Sequence, residues 1–233
     1  MERRAFLRSC ALITGAGALS ATATAINDGA TRQYARVRLV DIHNAPIKAQ
    51  TLEPETNYVF NYPFASTPCF LLNLARPLTA RAELARQDGR KYAWEGGVGR
   101  DKSVVAFSAI CAHKLAYPTR EVSFIRYQRV ASTTSDAHVI HCCADHSVYD
   151  PAGGARVIAG PAPQPLAAIL LEHDPATDEL VAVGTQGAEQ FDAFFQKYDF
   201  KLAMEYGRSA RELVRERAVV RELTQYCKQT IEC

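Results

Sequence analysis

The chain has 233 residues, of which 48% are hydrophobic and 22% are charged, as expected for an ordinary globular protein. Its formal net charge is only +2, which argues against nucleic-acid binding through a strongly basic surface. This length allows one principal domain with appendages.

Residues 1–30 have the features of an export signal. Arg3 and Arg4 are followed, after one residue, by Phe6-Leu7, a pattern typical of the twin-arginine signal. The uncharged run 9–27 contains small residues where a signal peptidase can cut, yet it approaches the 20 or so residues that span a bilayer. We predict a cleaved signal or a membrane anchor, and in either case a location on the periplasmic side of the bacterial inner membrane.

Residues 31–185 are predicted to form an all-β domain. Short runs rich in Val, Ile, Phe and Tyr alternate with turns that contain Pro or Gly, which is typical of a sandwich or barrel. These runs are residues 34–42, 57–64, 69–74, 104–110, 122–127, 138–141, 155–159, 167–172 and 179–183.

Residues 186–233 are predicted to form a helical C-terminal extension. An apolar stripe at helical spacing consists of Phe191, Phe194, Phe195, Tyr198 and Leu202. Ser209 and Glu212 resemble a capping box, and a broader apolar face follows at residues 213–226. We expect the extension to pack on its own β-domain; the alternative is a docking surface for a partner subunit.

Two short segments combine cysteine with histidine. The first is Cys111-Ala112-His113, directly after an apolar run, and the second is Cys143-Ala144-Asp145-His146. Each offers one thiolate and one imidazole, so that one iron of a two-iron cluster can take both sulfurs and the other both ring nitrogens. Imidazole in place of thiolate raises the reduction potential, to about −150 to +300 mV in centres of this type.

These two boxes resemble those of the Rieske family of [2Fe–2S] proteins. The resemblance extends over residues 104–171 and includes residues 160–163, Gly-Pro-Ala-Pro, which are similar to the proline loop that covers the cluster in quinol-oxidising cytochrome complexes. It implies a Rieske-like antiparallel β sandwich with one [2Fe–2S] cluster. The ligands that it implies are Cys111, His113, Cys143 and His146. Ser147 and Tyr149 fall where the family places hydroxyls that hydrogen-bond a bridging sulfide and a ligand sulfur.

The sequence departs from the family pattern in two ways. First, high-potential members have an additional cysteine in each box, and a disulfide between the two cysteines bridges the loops. This sequence has Ala116 at that position in box one and Ala144 or Asp145 in box two, so packing must hold the loops here. In addition, aligning box two on residues 147–150, Ser-Val-Tyr-Asp, makes Cys142 the thiolate and puts Asp145 at the histidine position. We prefer Cys143 and His146 because an imidazole is needed, and Cys142 stays an alternative.

The other histidines and cysteines have no predicted part in the centre. We interpret His138 and His141 as ordinary strand residues. Cys69, Cys227 and Cys233 can include a disulfide in an exported protein, but the sequence indicates no pairing.

The resemblance implies one-electron transfer by a redox subunit of a periplasmic or membrane-bound respiratory or photosynthetic complex, not an enzyme that acts alone. We expect a cytochrome as redox partner and an association with the membrane. The first alternative is a quinol-oxidising subunit of a cytochrome bc-like complex, with a quinol-binding membrane subunit as partner. The second is a structural zinc domain, because two cysteines and two histidines also suit tetrahedral zinc.

Overall fold

The computed structural model describes residues 30–78, 81–187 and 189–233, so the predicted twin-arginine signal or anchor lies outside the described residues except for Ala30. In chain order, the strands are β1 (Thr31–Val40), β2 (Tyr58–Asn61), β3 (Pro68–Asn73), β4 (Ala82–Ala85), β5 (Lys91–Trp94), β6 (Val104–Ser108), β7 (Val122–Ser123), β8 (Ile125–Gln128), β9 (Val139–Cys142), β10 (Ser147–Asp150), β11 (Arg156–Ala159), β12 (Ala168–His173), β13 (Leu180–Gln186), β14 (Glu216–Val219), β15 (Arg221–Glu222) and β16 (Gln229–Thr230). The α-helices are α1 (Phe191–Tyr206) and α2 (Leu223–Tyr226).

The strands form one large and one smaller sheet, with two additional pairs. The large sheet has eight strands in the order β14-β1-β13-β12-β6-β3-β2-β15. Its edge strands β14 and β15 are separated in the chain only by Val220, so the sheet is nearly closed. The smaller sheet has the order β11-β10-β9-β8 and is antiparallel throughout. This arrangement confirms the all-β prediction.

Every predicted strand run corresponds to at least one observed strand, because Val, Ile, Phe and Tyr pack well on a half-buried pleated surface. The prediction did not include the hairpin of β4 and β5. Its strands contain Ala, Glu and Lys, which are uncommon in strands, yet its buried Leu84, Tyr92 and Trp94 lie at alternate positions. Asp88-Gly89 in the connecting turn is the signal that could have revealed it.

For residues 186–233, the structure confirms the first predicted helix but not the helical structure predicted for residues 213–226. Four residues of the predicted stripe, Phe191, Phe194, Phe195 and Leu202, are buried by α1 in a cluster with Ile110 and Tyr117 of the β-domain, and the fifth, Tyr198, is half-buried against it. Residues 213–226 do not form the expected second helix. Apart from the single turn of α2, they complete the large sheet: β14 lies parallel to β1, and β15 lies antiparallel to β2.

The physical reason for this difference is pairing with distant strands. Ala218 and Val220 are buried at alternate positions, which suits a strand, and the free edge of β1 offers hydrogen-bonding partners to the backbone of this segment. Such long-range contacts override a local helical pattern. Among the residues that the structure describes, no helix is long and apolar enough to cross a bilayer.

Candidate metal centre

Loop one (residues 109–117) follows β6 and carries Cys111 and His113. The Leu115 amide donates to the Cys111 carbonyl at 3.0 Å, and the Cys111 amide donates to the Ala116 carbonyl at 2.8 Å, so the loop folds back on itself. As a result, Cys111 is completely buried, whereas the side chain of His113 is 39% exposed.

Helix α1 and the residue before it hold loop one in place. The Gln190 side-chain amide donates to the Ala112 carbonyl at 2.7 Å, and the Lys197 ammonium donates to the Lys114 carbonyl. The rings of Tyr117 and Phe194 pack edge to face with centroids 4.9 Å apart. These contacts fix the position of loop one by packing, in place of the disulfide that bridges the two loops in high-potential members of the family.

Loop two (residues 143–146) is the tight connection between β9 and β10. Cys142 and Ser147 are paired across the hairpin, and the His146 amide closes the turn on the Cys142 carbonyl at 2.7 Å. Because side chains opposite each other in an antiparallel pair share a face, Cys142 and Ser147 lie on the same side of the hairpin as Tyr149 and its partner Ile140. Loop one packs on this side.

Four donor groups converge between the loops. The sulfur atoms of Cys111 and Cys142 and a carboxylate oxygen of Asp145 lie within 4.8 Å of one another. The Asp145 Oδ2 atom is also 2.8 Å from Nδ1 of His113 and 3.4 Å from the Cys111 sulfur. The centre therefore contains two thiols, one imidazole and one carboxylate.

The surroundings favour negative charge on Cys111 and on Asp145. A hydrogen bond from Cys142 lowers the pKa of the Cys111 thiol to about 7, and the same shared proton raises the pKa of Cys142. Burial acts to raise the pKa of Asp145, but hydrogen bonds from the Ser147 amide, Cys142 and His113 outweigh it and lower that pKa. Thiolates and an ionised carboxylate are the forms that bind metal ions.

Two buried hydroxyl groups face the same space. The Tyr149 hydroxyl oxygen is 3.4 Å from the Cys111 sulfur and accepts a hydrogen bond from the Ala112 amide at 3.0 Å. The Ser147 hydroxyl is completely buried and has no hydrogen-bond partner among the described residues. An unpaired buried hydroxyl costs free energy, so its position beside the thiols fits a bound group that has acceptor atoms of its own.

The Gly-Pro-Ala-Pro segment follows β11 and packs against loop two. A Cβ atom at Gly160 would lie 2.3 Å from the His146 carbonyl oxygen and 2.6 Å from the Ser147 Cα atom, and the φ angle of Gly160 is +84°. Only glycine allows this close approach of two backbone segments.

The structure does not bring the four predicted ligands together. Cys111 and His113 lie in the centre as expected, but Cys143 forms a disulfide with Cys233 over a Cα–Cα distance of 5.7 Å. A sulfur in a disulfide is not a thiolate, so Cys143 has no ligand atom to offer in this state. The alternative alignment of box two, with Cys142 and Asp145, agrees with the observed positions.

His146 also differs from its predicted place. One of its ring nitrogens lies within 4.8 Å of a ring nitrogen of His141 and of the Cys233 sulfur, and the centroids of the two imidazole rings are 5.6 Å apart. The signal in the sequence that favours the alignment on Cys142 and Asp145 is the Ser147-Val148-Tyr149 run, because the pairing of this strand fixes which residues before it lie on the inner face.

A cleft of about 750 Å³ opens beside the exposed edge of the centre. Its walls come from loop one, from the proline segment and from the start of α1, and include His113, Leu115, Pro163, Gln190 and Phe191. The imidazole of His113 is thus the part of the centre that another molecule can reach.

No family model matches the chain. Among solved structures, it is similar to the soluble domain of the Rieske protein II (soxF) from Sulfolobus acidocaldarius, with 25% sequence identity and a TM-score of 0.48. The alignment covers 67% of this chain and 82% of that chain. At this level of structural agreement, the function has to be inferred from the side chains of the two loops.

Proposed function

We propose that this protein is a one-electron carrier that holds a [2Fe–2S] cluster between loop one and loop two. The observation that carries the proposal is the convergence of two buried thiols, Cys111 of loop one and Cys142 at the end of β9, on the Asp145 carboxylate. The Nδ1 atom of His113 lies 2.8 Å from the same carboxylate. When bound, such a cluster takes up and releases one electron at a time.

The residues around the thiols have distinct tasks in this proposal. Cys111 and Cys142 supply two thiolates, and His113 supplies an imidazole at the protein surface. The Tyr149 hydroxyl donates to the Cys111 sulfur, which stabilises the more negative reduced state and raises the potential. Loop one and the β9–β10 hairpin, held by backbone hydrogen bonds, keep these groups in position in both oxidation states.

The two hydroxyls favour an iron–sulfur cluster over structural zinc. A zinc ion with four protein ligands has no additional atom that could accept a hydrogen bond. The buried Ser147 hydroxyl needs such an acceptor, and an inorganic bridging sulfide provides one. The orphaned hydroxyl therefore supports a cluster, because a bridging sulfide adds an acceptor atom that a zinc site lacks.

We further propose that electrons pass through His113 to a partner in an exported complex. His113 is the exposed member of the four converging groups, because the two cysteines and the Asp145 side chain are buried. A redox protein, such as a cytochrome, can approach it at the cleft. The export signal at Arg3-Arg4 supports a place on the periplasmic side of the membrane.

The second candidate function is quinol oxidation with a membrane subunit as partner. The observation that favours it is the position of Pro163, which lines the cleft together with His113. A cleft in which a proline segment lies beside an accessible imidazole suits the binding of a small molecule that donates a hydrogen bond, such as a quinol, as well as the docking of a protein.

The test is the cluster itself. Purified protein is expected to contain about two iron atoms and two acid-labile sulfides per chain, with a rhombic EPR signal after reduction. Cys111→Ser is expected to lose both, and Cys69→Ser, at a buried thiol that contacts the Tyr62 carbonyl elsewhere in the fold, is the matched control. Wild-type protein that takes up zinc and no iron would overturn the proposal.

A further inference from the structure

We infer that Asp145 is the fourth protein ligand, so that Cys111, Cys142, His113 and Asp145 hold the cluster. This inference rests on the proposed function and adds to it that a carboxylate takes the position of the second imidazole. Asp145 is the third residue after Cys142, the same spacing that separates Cys143 from the expected ligand His146.

The geometry supports a carboxylate at this position. The Asp145 side chain is 2% exposed and its Oδ1 and Oδ2 atoms lie 3.6 and 3.4 Å from the Cys111 sulfur. Carboxylate oxygens and thiolate sulfurs are both metal ligands, so their convergence at this distance suits a single metal centre.

The Nδ1 atom of His113 faces the same space. It is 2.8 Å from Asp145 Oδ2, so the imidazole nitrogen and the carboxylate oxygen face each other across a short gap. They belong to different loops, as the two non-sulfur ligands of one iron would. The Ser147 amide donates to the other carboxylate oxygen at 3.0 Å and fixes the orientation of the carboxylate.

His146 is not available for this role in the observed conformation. The disulfide between Cys143 and Cys233 holds one end of loop two, and the Cys233 sulfur lies 3.6 Å from Nδ1 of His141. The His146 imidazole joins this group, whereas the carboxylate one residue earlier joins Cys111 and Cys142.

The chemical consequence concerns charge. A carboxylate carries one negative charge that a neutral imidazole does not, and negative charge at the centre disfavours the reduced state. Replacing Asp145 by histidine is therefore expected to raise the reduction potential, and the wild-type potential is expected to lie below that of the variant.

The experiment counts histidine nitrogens bound to iron. Wild-type protein with ¹⁵N-labelled histidine is reduced and studied by pulsed EPR, and one strongly coupled histidine nitrogen is expected. Asp145→His is expected to show two and to have a higher potential. His146→Ala, the control at the neighbouring position, is expected to keep the wild-type spectrum and potential.

Two results would overturn the inference in distinguishable ways. Two coupled nitrogens in the wild type, falling to one in His146→Ala, would leave electron transfer intact and return the fourth position to His146. A wild-type protein with no cluster signal after reconstitution would overturn the proposed function together with this inference. Because the first measurement uses the unmodified protein, it does not depend on the folding of a variant.

Discussion

The β9–β10 hairpin has two sides that carry similar residues in different environments. On the inner side, Cys142 and Asp145 face loop one and meet Cys111. On the outer side, Cys143 is bonded to Cys233, and His146 lies beside His141. The pairs Cys142/Asp145 and Cys143/His146 have the same spacing and are offset by a single residue.

An offset of one residue along the chain therefore places a Cys/Asp or Cys/His pair in a different chemical environment. Adjacent side chains of a strand point to opposite faces, so Cys142 at the end of β9 and Cys143 just after it cannot occupy the same site. The inner side brings together the groups that we propose as metal ligands, and on the outer side the Cys143–Cys233 disulfide links loop two to the C-terminal segment. In this proposal, neighbouring residues bind the cofactor and stabilise the loop.

The largest expected effect is on iron binding, and it distinguishes the inner side of the hairpin from the outer side. Cys142→Ser is expected to abolish iron binding because it removes a thiolate ligand, whereas the double variant Cys143→Ser/Cys233→Ser is expected to keep the iron. Iron and sulfide content of the purified proteins measures both. Loss of iron in the double variant and retention in Cys142→Ser would reverse the assignment of the two sides.

The second effect is on stability. The disulfide connects residues 90 positions apart, and in the chain-entropy model closing a loop of this size stabilises the folded protein by about 4.6 kcal/mol. Urea denaturation of the Cys143→Ser/Cys233→Ser variant is expected to show this loss. Adding a reducing agent should lower the free energy of unfolding of the wild type to that of the variant and leave the variant unchanged. If the reducing agent also destabilises the variant, the loss does not come from this disulfide.

The third effect concerns the segment that packs on loop two. Gly160→Ala places a Cβ atom 2.3 Å from the His146 carbonyl oxygen, so the segment has to move away. We expect a loss of about 2–3 kcal/mol in the free energy of unfolding. Gly89→Ala is the matched control, because its φ angle is +82° but no atom lies within 4 Å of its Cβ position. That variant should lose only about 1 kcal/mol from backbone strain.

The smallest effect is at the Tyr149 hydroxyl. Tyr149→Phe leaves the buried Ala112 amide without its acceptor, at a cost of about 1–2 kcal/mol. Iron should be retained, but the reduction potential should fall because the Cys111 sulfur loses a hydrogen-bond donor. Tyr62→Phe, which removes a hydroxyl bonded to the Ala35 carbonyl, should leave the potential unchanged. Equal potentials in both variants and the wild type would remove Tyr149 from this role.

Much of the scaffold could be predicted from local sequence. The strand runs were recognisable from their β-branched and aromatic residues, and α1 from its aromatic stripe, because these preferences act within a few residues. The C-terminal strands could not be predicted, since β14 and β15 depend on the edges of β1 and β2 that lie far away in the chain. Local pattern carries no information about such edges.

The sequence by itself determined the all-β scaffold, the two cysteine-containing loops and the places of Cys111 and His113. Only the tertiary structure placed Cys142 and Asp145 beside Cys111 and joined Cys143 to Cys233. The reason is that residue type and spacing are properties of the chain, whereas the face on which a side chain lies follows from strand register and from partners as distant as 90 residues.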